Sequence, residues 1–358
     1  MKNNLFKYAT SELSQDAFIC WLLSYAMEDA KEDNGLRDCA RAFIKEFLSK
    51  IENMVDVSEN FVVTEIKQQY KNIDVLVTVN DKYKIIIEDK TYTNVHDNQL
   101  VRYKERILDE FKKYHLACVY FKTGFEGNRD EIEKAGYQMF DLGHILNIME
   151  NFKDKTENEI FHNYLEYWSV FNKTANTFHV TNVKCWRWEQ ILGFYDYLYK
   201  GLSHEKLFKE AWSGGYGYVP NPSGGFYGMW LIPKISIPYQ GIEFYPYLQM
   251  EFYPSQDEKL DSHLDLCLKL AVKSNAVEDF DTRVLRNIIC YEKKAYCLEM
   301  LGFSKPKRLS SGKYMTIGKF GAVNKEYSSV YDILTSLDEI LSNFDDIIFY
   351  CQKKVCHN

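Results

Sequence analysis

Along the first half of the chain, apolar positions alternate between a helical and a two-residue period. Over residues 12 to 30, Leu13, Ala17, Phe18, Trp21, Leu22 and Tyr25 recur at helical spacing. Over residues 36 to 54, Ala40, Phe43, Ile44, Phe47, Leu48 and Ile51 do the same. Two packed helices are predicted, the second covering one face of a sheet. Residues 61 to 70 read as its first strand. Two apolar runs follow, 73 to 79 and 83 to 87, separated by the turn residues Asn80-Asp81-Lys82, the pattern of a tight antiparallel hairpin. A helix at 98 to 113 then acts as a crossover that lays a strand at 115 to 122 parallel to the one before it. A short helix at 129 to 135, a strand at 137 to 141 and helices at 142 to 150 and 157 to 171 complete a mixed sheet flanked by helices, an α/β (α+β) fold.

The polar stretch 172 to 183 is a linker candidate, which places one domain at 1–175 and a second at 176–358. In the second half a helix at 186 to 199 precedes a glycine-rich stretch, 214 to 228, read as a long loop whose aromatic residues either join two elements or touch substrate. Strands are expected around 229 to 237, 241 to 253 and 263 to 272, the last alternating Leu264, Leu266, Leu268 and Leu270 with polar neighbours. Helices at 277 to 301 and 330 to 350, with a strand near 313 to 318 between them, complete an α+β domain of mostly antiparallel strands. Trp186-Arg187-Trp188 reads as core packing where the domains join.

With 358 residues the chain is long enough for two cores, and its apolar and charged fractions are those of an ordinary globular protein. Its 27 Tyr and 23 Phe favour thick cores and offer stacking surfaces for bases. The formal net charge of −7 argues against a whole-molecule polyanion-binding field, so contact with nucleic acid has to use a local basic patch. The best candidate lies between residues 301 and 325, which hold Lys305, Lys307, Arg308, Lys313, Lys319 and Lys325 and no acid, with Tyr314 and Phe320 interleaved. A solvated surface face is the competing reading of the same residues. The nine cysteines lack the short paired spacings of zinc sites and read as reduced thiols; Cys351, Cys356 and His357 make a poor metal site. The N-terminus has no apolar signal core and no run approaches membrane-spanning length, so a cytoplasmic protein is expected.

Charge sits where the hairpin pattern calls for burial. Asp74 interrupts the first apolar run and Glu88-Asp89-Lys90 closes the second. Alternation puts Glu88 and Lys90 on one face and Asp89 on the other, while Asp74 can meet Glu88 across the hairpin. Two carboxylates that close repel unless a divalent cation lies between them, and hard oxygen donors suit Mg²⁺ or Mn²⁺. A lysine two residues on would orient or deprotonate a water and offset phosphate charge in phosphodiester hydrolysis. A solvated hairpin end is the plainer alternative. Gln99 and Tyr103, four apart, share a helix face that could equally be an exposed polar one. Glu12 could equally be a first-turn acid behind a Thr10 or Ser11 cap.

The order Asp74, Glu88-x-Lys90 and Gln99-x-x-x-Tyr103, preceded by the segment from Ser11 to Phe18, resembles the PD-(D/E)xK nuclease superfamily, the restriction-endonuclease-like fold. Ile73 stands where the family name has Pro. The resemblance spans residues 1 to about 170. It implies that Asp74, Glu88 and Glu12 bind the metal, that Lys90 is catalytic and that Gln99 and Tyr103 lie near the site. Glu65, on the first strand, is a second candidate for the extra acid. It further implies an Mg²⁺- or Mn²⁺-dependent endo- or exonuclease, acting on DNA more than RNA, in bacterial defence or genome maintenance. The C-terminal domain would then select the substrate or a partner; homo-oligomerisation is left open and no membrane is involved. The rival is an inactive nucleic-acid-binding or scaffolding module of the same fold.

Overall fold

In the computed structural model the chain divides into two compact units, Met1–Lys173 and Thr174–Asn358. Within it, residues 3–9, 11–29, 33–49, 51, 60–91, 98–127, 129–204, 211–221, 225–255, 261–273, 280–321 and 326–356 are described. Thr10, Lys325 and His357 fall outside these residues.

The first unit is built on a five-stranded sheet of order β1-β2-β3-β4-β5, with β1 Val63–Tyr70, β2 Ile73–Val79, β3 Tyr83–Lys90, β4 His115–Lys122 and β5 Gln138–Asp141. The first three strands are antiparallel, and β4 and β5 add in parallel, as a crossover helix demands. The β2–β3 turn holds Asn80 and Asp81 at φ 51° and 48°, the left-handed pair that matches strand twist, and Lys82 N–H donates to the Val79 carbonyl. Three helices precede or follow this hairpin: α1 Glu12–Ser24, α2 Asn34–Leu48 and α3 Gln99–Glu110. On α2 the expected stripe is found, with Ala40, Phe43, Ile44, Phe47 and Leu48 buried. On α3, Leu100, Tyr103 and Ile107 pack against Leu76, Ile86, Cys118 and Tyr120 of the sheet.

The face of α1 differs from the apolar reading. Leu13 and Ala17 are exposed, whereas Gln15 and Asp16 are buried beside Phe18, Ile19, Leu22 and Leu23. The buried face thus carries polar groups that apolar periodicity cannot find. Helices α4 Arg129–Lys134, α5 Leu142–Glu150 and α6 Glu159–Asn176 follow. The linker expected at 172 to 183 is ordered structure instead: α6 runs through Asn176 and a 3-10 turn, Thr177–His179, buries Phe178.

The second unit contains an antiparallel sheet of order β13-β14-β10-β9-β7-β6, in which β6 is Trp212–Val219, β7 Phe226–Pro233, β9 Ile242–Tyr253, β10 His263–Val272, β13 Phe303–Ser304 and β14 Tyr314–Phe320; the short β8, Ile237–Tyr239, pairs with β9. Most of the glycine-rich stretch is therefore strand, with β6 and β7 paired from Trp212↔Pro233 to Val219↔Phe226. Residues 222–224 of it lie outside the described residues. Of the helix expected over 277 to 301, residues 277–279 lie outside the described residues, and the rest is an α-helix only over Thr282–Cys290, because Lys293 and Lys294 adopt positive φ and close a small hairpin, β11 Tyr291–Glu292 with β12 Ala295–Tyr296, before a 3-10 turn at Leu298–Leu301. Residues 330 to 350 belong to two helices, Val330–Ser342 and Phe344–Cys356, split at Asn343. Trp186 is core, packed on Phe178, Phe194 and Phe252. All nine cysteines are free. Among the described residues no helix is long and apolar enough to cross a membrane.

Candidate active site

The ladder pairs Val75 with Ile87, so the next position sets Asp74 opposite Glu88. Glu88 is wholly buried, and its Oε1 accepts from Lys90 Nζ at 2.6 Å and from Gln99 Nε2 at 2.6 Å. The same ammonium lies 3.4 Å from Asp74 Oδ2 and 2.9 Å from the Asp89 carbonyl oxygen. Asp74 is fixed by the Asp89 backbone N–H, which donates to Oδ2 at 2.9 Å. Gln99 also donates to the Tyr103 hydroxyl at 3.1 Å. Asp74, Glu88, Lys90, Gln99 and Tyr103 therefore form one connected cluster at the end of the hairpin.

Glu12 reaches it from α1, accepting from Thr91 N–H at 3.4 Å; the Ser11 side chain caps that helix, accepting from Ser14 N–H. Glu65 does not reach it. Its carboxylate pairs with Lys67 and Lys84, and its ladder partner is Thr78, towards the opposite end of β2 from Asp74. The acid that does join is Asp16, one helical turn after Glu12. Gln69 Nε2 donates to Asp16 Oδ2 at 2.9 Å and to Asp74 Oδ1 at 3.2 Å, tying helix to strand. Gln69 makes this bridge from a left-handed backbone, φ 54°, an uncommon and costly setting for a long side chain. Two signals in the sequence point to these residues: the i, i+4 spacing of Glu12 and Asp16, and the Lys71-Asn72 turn that sets residue 69 across from 74.

Negative charge outweighs positive here. Burial, then the nearby Asp74, pushes the Glu88 carboxyl up to about 8. The same two causes push Asp16 up to about 7. Asp89, fully buried on the other face of β3, is raised well above the carboxylate range by burial and then by Asp16. Burial works against the Lys90 ammonium, but Glu88 and Asp74 outweigh it and hold its pKa above the ordinary lysine value. A second lysine, Lys122, pairs with Lys90 in the parallel ladder and is itself fully buried. Its Nζ is 3.7 Å from Glu126, which also accepts from the Tyr120 hydroxyl at 2.7 Å.

The donor set fits a divalent cation. Glu88 Oε2 and Asp16 Oδ1 are buried without a hydrogen-bond partner among the described residues. Among those residues no three acidic, histidine or cysteine side chains form a ready-made cage.

The end of β3 is held closely. A Cβ on Gly124 would lie 2.0 Å from the Thr91 carbonyl oxygen, a backbone atom that cannot swing aside. Gly124→Ala is expected to displace the strand end next to Lys90 and to cost about 1–3 kcal/mol, read as a lower urea midpoint. An unchanged midpoint would contradict this close packing.

The basic segment lies in the other unit. Lys305, Lys307, Arg308 and Lys319 line a cleft there, whereas Lys313 does not and lies against the Tyr314 ring.

No curated protein and no solved structure matches the chain at a significant level. A family model does: residues 3–170, nearly the whole first unit and all of the cluster above, match the PD-(D/E)XK nuclease superfamily. Over residues 3–170, the N-terminal unit is a member of the PD-(D/E)XK nuclease superfamily.

Proposed function

We propose that the first unit is a divalent-metal-dependent nuclease that hydrolyses phosphodiester bonds in nucleic acid, DNA in preference to RNA. The observation that carries this reading is the Lys90 ammonium held between Glu88 and Asp74, with Gln99 on the same Glu88 oxygen. A solvated hairpin end would not bury these groups, and an inactive module has no need to retain all of them.

Asp74 and Glu88 would hold the cation, with Glu12 and Asp16 as the further acids nearest to hand. When bound, it supplies Lewis-acid stabilisation of the charge that grows on the phosphate oxygens. Lys90 keeps its proton beside two carboxylates, so it acts as a donor: it orients a water and offsets developing negative charge. Gln99 holds Glu88 in place, and Tyr103 holds Gln99. Gln69 does the same for Asp74 from β1. The low-dielectric setting makes each of these interactions stronger than it would be in water.

The test is incubation of the purified protein with plasmid, single-stranded DNA and RNA, each with Mg²⁺, Mn²⁺ or EDTA. Cleavage of DNA faster than RNA, requiring the added metal, is expected. RNA as the preferred polymer would overturn the substrate assignment, and inertness toward all three would overturn the activity.

A further inference from the structure

The second unit holds a cleft of about 700 Å³ between one face of its sheet and the segment from Ser304 to Arg308. Its floor is polar. Glu251 and Asp265 face each other across β9 and β10, but both charges are met from within. Glu251 accepts from Lys269 at 2.9 Å and from the Tyr253 hydroxyl at 2.7 Å; Asp265 accepts from His263 at 2.8 Å and from Lys319.

The rim is different. Lys305, Lys307 and Arg308 are exposed, and none has an acidic partner among the described residues. Glu326, also lining the cleft, is a single carboxylate against these three cations. The cleft therefore presents excess positive charge in a protein that is acidic as a whole. Beside the rim lie two flat rings from paired strand positions, Tyr253 and His263, within 25° of parallel and with centroids 6.5 Å apart. Tyr253 is over a third exposed and His263 is part-exposed beside it, while the other side of the Tyr253 ring packs against Phe226 at 5.5 Å.

Cations along a rim match successive phosphates, and an exposed ring beside them matches the π-face of a base. A duplex hides those faces in its own stack, whereas a single strand offers them. We propose that this cleft binds a single-stranded segment of nucleic acid, its phosphates on Lys305, Lys307 and Arg308 and an unpaired base against Tyr253 and His263. The choice of nucleic acid as the anion rests on the nuclease reading; the cleft and its charge do not.

The experiment is fluorescence anisotropy with the full-length protein in EDTA, using a labelled thymidine oligonucleotide, a duplex of equal length and a mononucleotide competitor. Joint replacement of Lys305, Lys307 and Arg308 by Ala should weaken single-strand binding at low salt by roughly tenfold or more and lower its salt slope by about 2. Tyr253→Ala should cost about tenfold, and Tyr253→Phe, which keeps the ring, should not. Duplex binding should be unchanged in all three and the melting temperature unchanged in the triple variant; Tyr253→Phe, which loses the same hydroxyl bond to Glu251, controls for any stability lost in Tyr253→Ala. Unaltered single-strand affinity, an equal loss for the duplex, or displacement by the mononucleotide as effective as by the strand would each overturn the proposal. Strand binding through the cleft by a protein that cleaves nothing would count against the nuclease reading and in favour of the cleft. Unaltered binding in a protein that does cleave would count against the cleft alone.

Discussion

Lys90→Ala is expected to lower the cleavage rate by roughly 10²–10⁴-fold while leaving substrate affinity, measured in Ca²⁺, within a few fold. The reason is the position of the ammonium. It contacts Glu88, Asp74 and a backbone carbonyl, so its charge sits where phosphate charge would grow, not along a binding surface. Lys90→Arg should not restore the rate. The lysine is mostly buried, and a planar guanidinium is larger and spreads its charge over a fork that this space does not match. Because removing the ammonium leaves buried carboxylates without their counter-charge, the Ala variant should be compared with wild type by melting temperature as well. A Lys90→Ala protein that is folded and cleaves at the wild-type rate would remove this lysine from the mechanism.

The second large effect concerns metal and pH together. Glu88, up to about 8, and Asp16, up to about 7, bind protons more tightly in the folded chain than in the unfolded one, where ordinary values near 4.5 and 3.8 apply. The stability they contribute is therefore full below about pH 4 and is lost as pH rises through about 7 to 8. A divalent cation binds the deprotonated carboxylates of the native state and offsets that loss. The melting temperature should rise with Mg²⁺ or Mn²⁺ by roughly 5–10 °C at saturating metal near pH 8, and by much less near pH 5.5. Asp74→Ala should abolish the rise. An equal metal-induced shift in wild type and variant would place the cation elsewhere.

The core of this site was legible because strand physics is local. Asp74, Glu88 and Lys90 stand out as charges in runs that should be buried, and a short turn decides which of them meet. For Gln99 and Tyr103 the four-residue spacing gave only a shared helix face; the family resemblance placed them near the site. Asp16 and Gln69 were missed for the opposite reason: their burial is polar, and an apolar-stripe reading of α1 places Leu13 inward when it is exposed. The α1 surface that faces the sheet is set by the acids that must reach the cluster, a tertiary demand that overrides the helix's own pattern. The glycine-rich stretch misled in another way. Glycine usually marks a loop, but Gly228 sits inside β7 with Phe226 and Val219 side chains closing on the space a Cβ would fill. The breaks at Lys293-Lys294 and at Asn343 involve neither Gly nor Pro, so long runs of helix-forming residues concealed them.

The central claim is that Asp74, Glu88 and Lys90 form a metal-dependent phosphodiesterase centre, and one comparison addresses it directly. Wild-type protein and Asp74→Asn, a substitution that keeps size and removes the charge a cation needs, are incubated side by side with DNA in Mg²⁺ and in EDTA. The account predicts cleavage by the wild type in Mg²⁺ only, and none by the variant in either. Cleavage that persists in EDTA, or that Asp74→Asn carries out as fast as wild type, would contradict it.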